Sequence, residues 1–171
     1  MPGPRDTRAA NFLIANNTFA WQSSAGIVNG QAAAVNNRVV NNISHENGVA
    51  SRAGTKGING VDFLNSGQDP VLSNDLFFAA GAGGTRMSGG NVVKGDHYTK
   101  SGSLSPDPSL VQPGGTMPDA PDFHLKPGST AIDKGLPLPQ VAVGRDGGAR
   151  PWPVECGHDL GAYGHGARSK P

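Results

Sequence analysis

Short apolar clusters, broken by asparagine pairs and glycines, set the pattern of this chain. FLIANNTFA (12–20), RVVNNISHE (38–46) and VLSNDLFFA (71–79) align with one another, and VVKGDHYTK (92–100) is a weaker fourth copy. Each copy places two or three apolar residues before the polar pair and one or two after it. Side chains that alternate between two faces belong to strands, and stretches with a 3.6-residue period are scarce. The pattern therefore predicts short strands joined by sharp turns. With Asn16, Asn41, Asn74 and Gly95 as equivalent positions, the copies step by 25, 33 and 21 residues. Unequal steps exclude a helical solenoid of fixed period and suit stacked coils with insertions in their turns.

The asparagine pairs have a physical reason to recur. Asn tolerates the left-handed conformation that a sharp turn requires. A stacked column of Asn side chains can also satisfy the backbone groups that such turns bury. Asn17, Asn42 and Asp75 are the expected members of that ladder. A third strand per coil is expected in AGIVNG (25–30), GINGVDFL (57–64) and GTRMSG (84–89), where glycines permit close backbone approach. After about Ser101 the alternation is lost and Pro and Asp become frequent. The expected organisation is an N-terminal extension (1–10), coils (11–100), a C-terminal cap over the last coil (101–163) and a flexible tail (164–171). Phe123, Leu125, Ile132, Trp152, Leu160 and Tyr163 would give the cap its apolar underside. Asp133 and Asp159, each before a glycine-containing turn, are expected to form Asx turns.

Composition narrows the classes of function. The 171 residues suffice for one domain with a core. Charged residues make up 16% and the formal net charge is +1, with no basic run to track a phosphate backbone, so nucleic acid is not an expected partner. No segment approaches the length of a membrane span, so no membrane partner is expected. Gly (26) and Pro (14) are abundant, but the recurrent apolar clusters argue for order rather than a disordered linker. Cys156 is the single cysteine, which excludes an intramolecular disulfide and zinc sites built from several thiolates. It reads as a small residue of the cap, with no neighbouring base to activate it. The opening MPGPRDTRAAN has no apolar core of the signal-peptide kind.

No sharp catalytic motif stands in the chain: GxSxG, HExxH, a calcium-binding loop and a phosphate-binding loop are all missing. GAGG (81–84) reads as a turn. The densest polar group is His45, Glu46, Arg52, Lys56, Asn59 and Asp62, which runs through the longest step between copies. Elimination across an acidic sugar polymer would need a base, a cation at the enolate-like intermediate and a proton for the leaving oxygen. Lys56 or His45 fits the first role and Arg52 or Arg86 the second. Hydrolysis would instead need two facing carboxyl groups. Glu46 and Asp62 are the first candidates for that pair, with Asp69, Asp75 and Asp96 behind them. The expected catalytic residues are thus Glu46, Lys56 and Asp62, and the expected substrate contacts Trp21, His45, Arg52, Asn59 and Arg86. Against each stands the plain alternative of a solvated turn or, for Trp21, a side chain filling a coil end.

The stretch from Ser105 to Tyr163 carries a resemblance. It reads SPDPSLVQPGGTMPDAPDFHLKPGSTAIDKG, then RDGGARPWP, then HDLGAY. It resembles the C-terminal end of secreted right-handed parallel β-helix proteins of the pectate-lyase-like class, which close with similar Asp-Phe-His-Leu, Pro-Gly-Ser, Ala-Ile-Asp and Asp-x-Gly-Ala segments. The matching residues include Asp107, Pro108, Asp122 to Leu125, Pro127 to Ser129, Ala131 to Asp133, Gly135, Asp146, Gly148, Arg150, Pro151, Asp159, Gly161 and Ala162. Thr130 stands where the family has Pro, and Gly164 where it has an acid.

The resemblance implies an all-β, right-handed parallel β-helix of about four coils with an irregular C-terminal cap. It also implies a secreted or cell-surface protein that binds and cleaves a polysaccharide, as a lyase or a glycoside hydrolase. A non-catalytic surface or adhesin-type β-helix, or the C-terminal fragment of a larger enzyme, is the alternative. No cofactor or metal is expected, except Ca²⁺ if the substrate is a uronate polymer. The first coil, with Phe12, Ile14 and Phe19, is expected to be uncapped at its outer end, which predicts a homodimer through that end.

Overall fold

A computed structural model of the chain describes residues 10–22, 25–29, 34–47, 61–65, 70–78, 99–102, 104, 106–113, 121–141, 143–145, 147 and 157–165. The described protein is all-β, with parallel sheets and no helix among the described residues.

The strands are β1 (Leu13–Ala15), β2 (Thr18–Ala20), β3 (Ala25–Asn29), β4 (Arg38–Val40), β5 (Ile43–His45), β6 (Val61–Asn65), β7 (Val71–Ser73), β8 (Leu76–Phe78), β9 (Thr99–Ser101), β10 (Leu110–Gln112) and β11 (Asp122–Leu125). They order as β1-β4-β7-β9, β2-β5-β8 and β3-β6, all parallel, and β10 pairs antiparallel with β11. The aligned repeats are therefore stacked rungs in register: Ile14 pairs Val39 and Val39 pairs Leu72, while Phe19 pairs Ser44 and Ser44 pairs Phe77. Two of the three expected third strands fall on β3 and β6; 84–89 lies outside the described residues.

The turns follow the expected chemistry. Asn16, Asn41 and Asn74 have φ of 53°, 59° and 53°, in the left-handed region. The main-chain N–H of each donates to the residue that ends the preceding strand of the next rung, as in Asn41 N to Ser73 O at 3.1 Å. The ladder also forms as expected. Asn42 Oδ1 accepts from Asn17 N (2.9 Å) and Asn17 Nδ2 (3.1 Å). Asp75 Oδ1 accepts from Asn42 N (2.8 Å) and Asn42 Nδ2 (2.9 Å).

Two further turn columns repeat the device. Asn11 and Asn36 are left-handed, and Phe12 N donates to Asn37 Oδ1 at 2.9 Å. Trp21 and Glu46 are left-handed as well, and Gln22 N donates to Asn47 Oδ1 at 2.9 Å. The fourth rung is β9, with Gly102 (φ 62°) at its turn and Asn74 N donating to Ser101 O. The turn thus falls at Gly102, not at Gly95, because β9 pairs with β7 residue for residue while Gly95 precedes the strand. A Cβ at 102 would come within 2.7 Å of Asn74 Oδ1, so a side chain there would have to displace the Asn74 amide.

Alternation splits the apolar residues into two clusters. Ile27, Val39, Leu72 and Phe77, with Ile14 and Phe19 against them, form the core inside the rungs. Ile43 and Leu76 point the other way and pack with Leu110, Leu125, Ala131 and Leu160, with Phe123 and Ile132 against them. The β2-β5-β8 sheet is thus covered on its other face by the C-terminal region.

That region does more than the end-closing role expected of it: part of it runs along the side of the stack. Asn74 Nδ2 donates to Lys134 O (2.7 Å) and Asn41 Nδ2 to Leu136 O (2.7 Å). Asn41 Oδ1 accepts from Leu136 N (2.7 Å), and Asn16 Nδ2 donates to Asp159 O (3.3 Å). Gly161 N donates to Asn41 O and Ala162 N to Thr18 Oγ1. The Asx turns in this region form at Asp107 and Asp122, each accepting from the N–H two residues on. Asp159 clasps its own region together, accepting from Asp133 N at 3.0 Å and from His165 N. Asp133 takes the left-handed conformation, φ 55°. Phe123, Leu125, Ile132 and Leu160 serve as the expected underside; Trp152 lies outside the described residues, and Tyr163 packs its ring on His124, centroids 4.5 Å apart.

Candidate functional site

Trp21, His45 and Glu46 converge at the third turn of the first two rungs. The five-residue rhythm of each rung, three strand residues and two turn residues, puts Trp21 and Glu46 in equivalent left-handed positions. For residues this large such a φ is strained, and the stacking must hold it. The two main-chain bonds that do so are Trp21 N to His45 O (3.2 Å) and Glu46 N to Phe78 O (2.7 Å).

The side chains form a layered aromatic group. The Trp21 ring meets His45 edge-on, centroids 5.9 Å apart, and His45 lies over Phe78 at 5.5 Å. Trp21 Nε1 donates to Pro113 O at 2.7 Å, which pins the segment after β10 over this corner. His45 is 5% exposed and Glu46 6% exposed. Burial lowers the His45 pKa below its usual value, with the carboxylates of Glu46 and Asp107 pulling it the other way. His45 is therefore neutral at neutral pH, and its Nδ1 is buried with no hydrogen-bond partner. A neutral buried imidazole has the right form for a base, but at 5% exposure it gives a polymer no access.

The remaining expected site residues are placed as follows. Asp62 lies on β6, paired through its strand with β3; Arg52, Lys56, Asn59 and Arg86 lie outside the described residues, as do Asp69 and Asp96. Asp75, a reserve candidate for a carboxyl pair, is 0% exposed and belongs to the ladder. Burial removes it from any role at a substrate.

A second polar group, missed in the sequence, sits on β11. His124 Nδ1 lies 2.6 Å from Asp122 Oδ1, and Tyr163 covers the imidazole face. Both partners are about a third exposed, at 32% and 37%. The alternation in DFHL places Asp122 and His124 on one face, two residues apart, and was the available signal. Among the described residues no group of three His, Cys, Asp or Glu is arranged to hold a metal ion. No helix among the described residues is long and apolar enough to cross a membrane.

No protein-family model, no curated protein and no solved structure matches the chain.

Proposed function

We propose that this protein is a right-handed parallel β-helix that binds and cleaves a polysaccharide outside the cell or at its surface. One observation supports the architecture above others. Each of the first two rungs contributes one strand to each of three parallel sheets in turn, as one coil of such a helix does. Right-handedness follows from the strong preference of parallel crossovers. The pectate-lyase-like resemblance of 105–163 supplies the substrate class.

In this reading the polymer lies along the β3-β6 sheet and the connection between Asn47 and β6. Arg52, Asn59 and Arg86 hold its acidic or hydroxyl groups, and Lys56 and Asp62 carry the proton transfers. Trp21 and Glu46 end the second strands of their rungs, where the chain turns toward that sheet. Ca²⁺ would join only with a uronate substrate. Phe12 before β1 is 58% exposed, and in this reading its apolar face pairs two copies of the chain.

A second reading, a surface β-helix that binds glycans without cutting them, is favoured by the burial of His45 and Glu46. One panel separates the two. Uronate and neutral glycans are incubated with the protein while reducing ends, unsaturated product and bound fraction are followed. Cleavage of any glycan, lost at least about tenfold in Lys56→Ala or Asp62→Asn with an unchanged melting temperature, upholds the enzyme. Binding without product upholds the second reading. Neither binding nor product on the whole panel removes both.

A further inference from the structure

Asn17, Asn42 and Asp75 hold the same place in successive rungs, but the third is an acid. Asn42 uses both halves of its amide. Its Oδ1 accepts from Asn17, while its Nδ2 donates to Ile14 O (2.9 Å), Val40 O (3.1 Å) and Asp75 Oδ1 (2.9 Å). Asp75 reproduces the accepting half alone. Its Oδ1 takes the two Asn42 donors, and its Oδ2 is buried and meets no donor. A carboxylate accepts on both oxygens, whereas a carboxylic acid offers one O–H and so mimics the donating half of an amide.

Among the described residues, the groups that act on this carboxyl are neutral ones. From the second rung the carboxyl faces the Asn42 amide, and from its own rung the Ser73 main chain. The C-terminal side meets Asp75 through Leu104, whose N–H donates to Asp75 O at 2.8 Å and whose carbonyl accepts from Phe77 N. Lys134 reaches this turn with its carbonyl, bonded to Asn74. His45, on the neighbouring β5, has Glu46 and Asp107 as its charged influences. An ionised Asp75 would thus be a buried charge facing amide donors on one oxygen and none on the other, an expensive state.

We propose that Asp75 is a proton latch: as a neutral acid its carboxyl fastens the third rung to the second at Asn42, and its ionisation loosens that joint and with it the main-chain bond that the Asp75 carbonyl accepts from Leu104. The placement agrees with the titration, since burial raises the carboxyl pKa from 3.8 to about 7, against the opposing pull of the Asn42 and Ser73 N–H groups. The sign follows. With the folded value above the unfolded one, the latch's contribution is complete below 3.8 and is lost as pH rises through about 7. The joint is therefore held most firmly below 3.8, weakens as pH rises through mild acid, and is fully loosened above about 7. This inference rests on the stacked rungs and is independent of any glycan.

Amide exchange at Leu104 and Leu76 tests it, corrected for intrinsic rates. In the wild-type protein the opening equilibrium at Leu104 should rise about tenfold between about pH 6 and about pH 8. In Asp75→Asn, which restores an amide, the rise should stay below about twofold. A flat wild-type profile, or the same rise in the variant, overturns the latch. If the variant does not fold, carbon-13 titration of the wild-type Asp75 carboxyl decides: a midpoint near 7 upholds the proposal, and one near the ordinary aspartate value of about 4 overturns it.

Discussion

At each turn between the first and second strands, two polar side chains stand next to each other and hold different parts of the molecule. Asn17, Asn42 and Asp75 bond from rung to rung and never leave the stack. Asn16, Asn41 and Asn74 reach the other way and carry the C-terminal segment at Asp159, Leu136 and Lys134. The conformational reason is shared. A left-handed residue reverses the chain, so it and its successor point to opposite sides of the turn. The consequence is a division of labour: one column builds the stack, and the other fastens to it a layer far away in sequence. The contacts of the first column span 25 and 33 residues, whereas those of the second to the C-terminal segment span 60, 95 and 143, beside one rung-to-rung bond from Asn41 Nδ2 to Asn16 Oδ1 at 3.4 Å.

The largest effect should come from the inner column. Asn42 is 1% exposed and makes hydrogen bonds to Asn17, Ile14, Val40 and Asp75. Asn42→Ala leaves Asn17 N and two strand carbonyls, one of them fully buried, without these partners. Each such orphan costs about 1–3 kcal/mol, so a loss of at least roughly 3 kcal/mol is expected in denaturant unfolding. A loss below about 1 kcal/mol would mean that the stack does not depend on the ladder, and the comparison would fail.

The outer column should cost less and affect a different region. Asn41 contributes a left-handed φ of 59° and two 2.7 Å bonds to Leu136. Asn41→Ala loses both contributions, roughly 2–3 kcal/mol together. Asn41→Gly keeps the turn and loses the bonds, so its cost should be nearer 1–2 kcal/mol. In both variants amide exchange should quicken first at Leu136 and Gly161, while Asn17 and Ile43 stay protected. Equal quickening at all four would show that the two columns are one cooperative unit.

Why one column was legible and the other was not is a matter of range. Repeated asparagine pairs within alternating apolar clusters announce a ladder, because the pattern itself repeats: Asn17, Asn42 and Asp75, and the core positions Ile14, Val39 and Leu72, could be read from alignment alone. The strap contacts have no repeat, and nothing near Lys134 or Asp159 in sequence signals an asparagine partner. Trp21 and Glu46 were legible only in part. Their residue types suggested sugar stacking and catalysis, and bulky side chains are rare at φ near 55°. The five-residue rhythm NNRVVNNISHEN (36–47) was present in the sequence and marks both as turn positions. The burial of His45 between the rings of Trp21 and Phe78 was illegible because it depends on stacking across rungs, and Trp21 is itself held by Pro113 from outside the repeats.

The smallest expected effect lies at the far end of the strap, and it bears on how independent the strap is. Asp159 joins two turns of the C-terminal layer through its carboxylate, accepting from Asp133 N and His165 N, while its own carbonyl takes Asn16 Nδ2. The main-chain bond to Asn16 survives Asp159→Ala. The lost bonds are exposed, so Asp133 N and His165 N can turn to water. The net cost of a hydrogen bond replaced by hydration is about 1 kcal/mol, and about that loss is expected, with an unchanged denaturant slope. Exchange should quicken at Asp133, and not at Asn42 or Leu76 inside the stack. A loss above about 3 kcal/mol would exceed what exposed bonds can contribute. It would place the strap inside the cooperative core, and the two asparagine columns would then be two faces of a single structure.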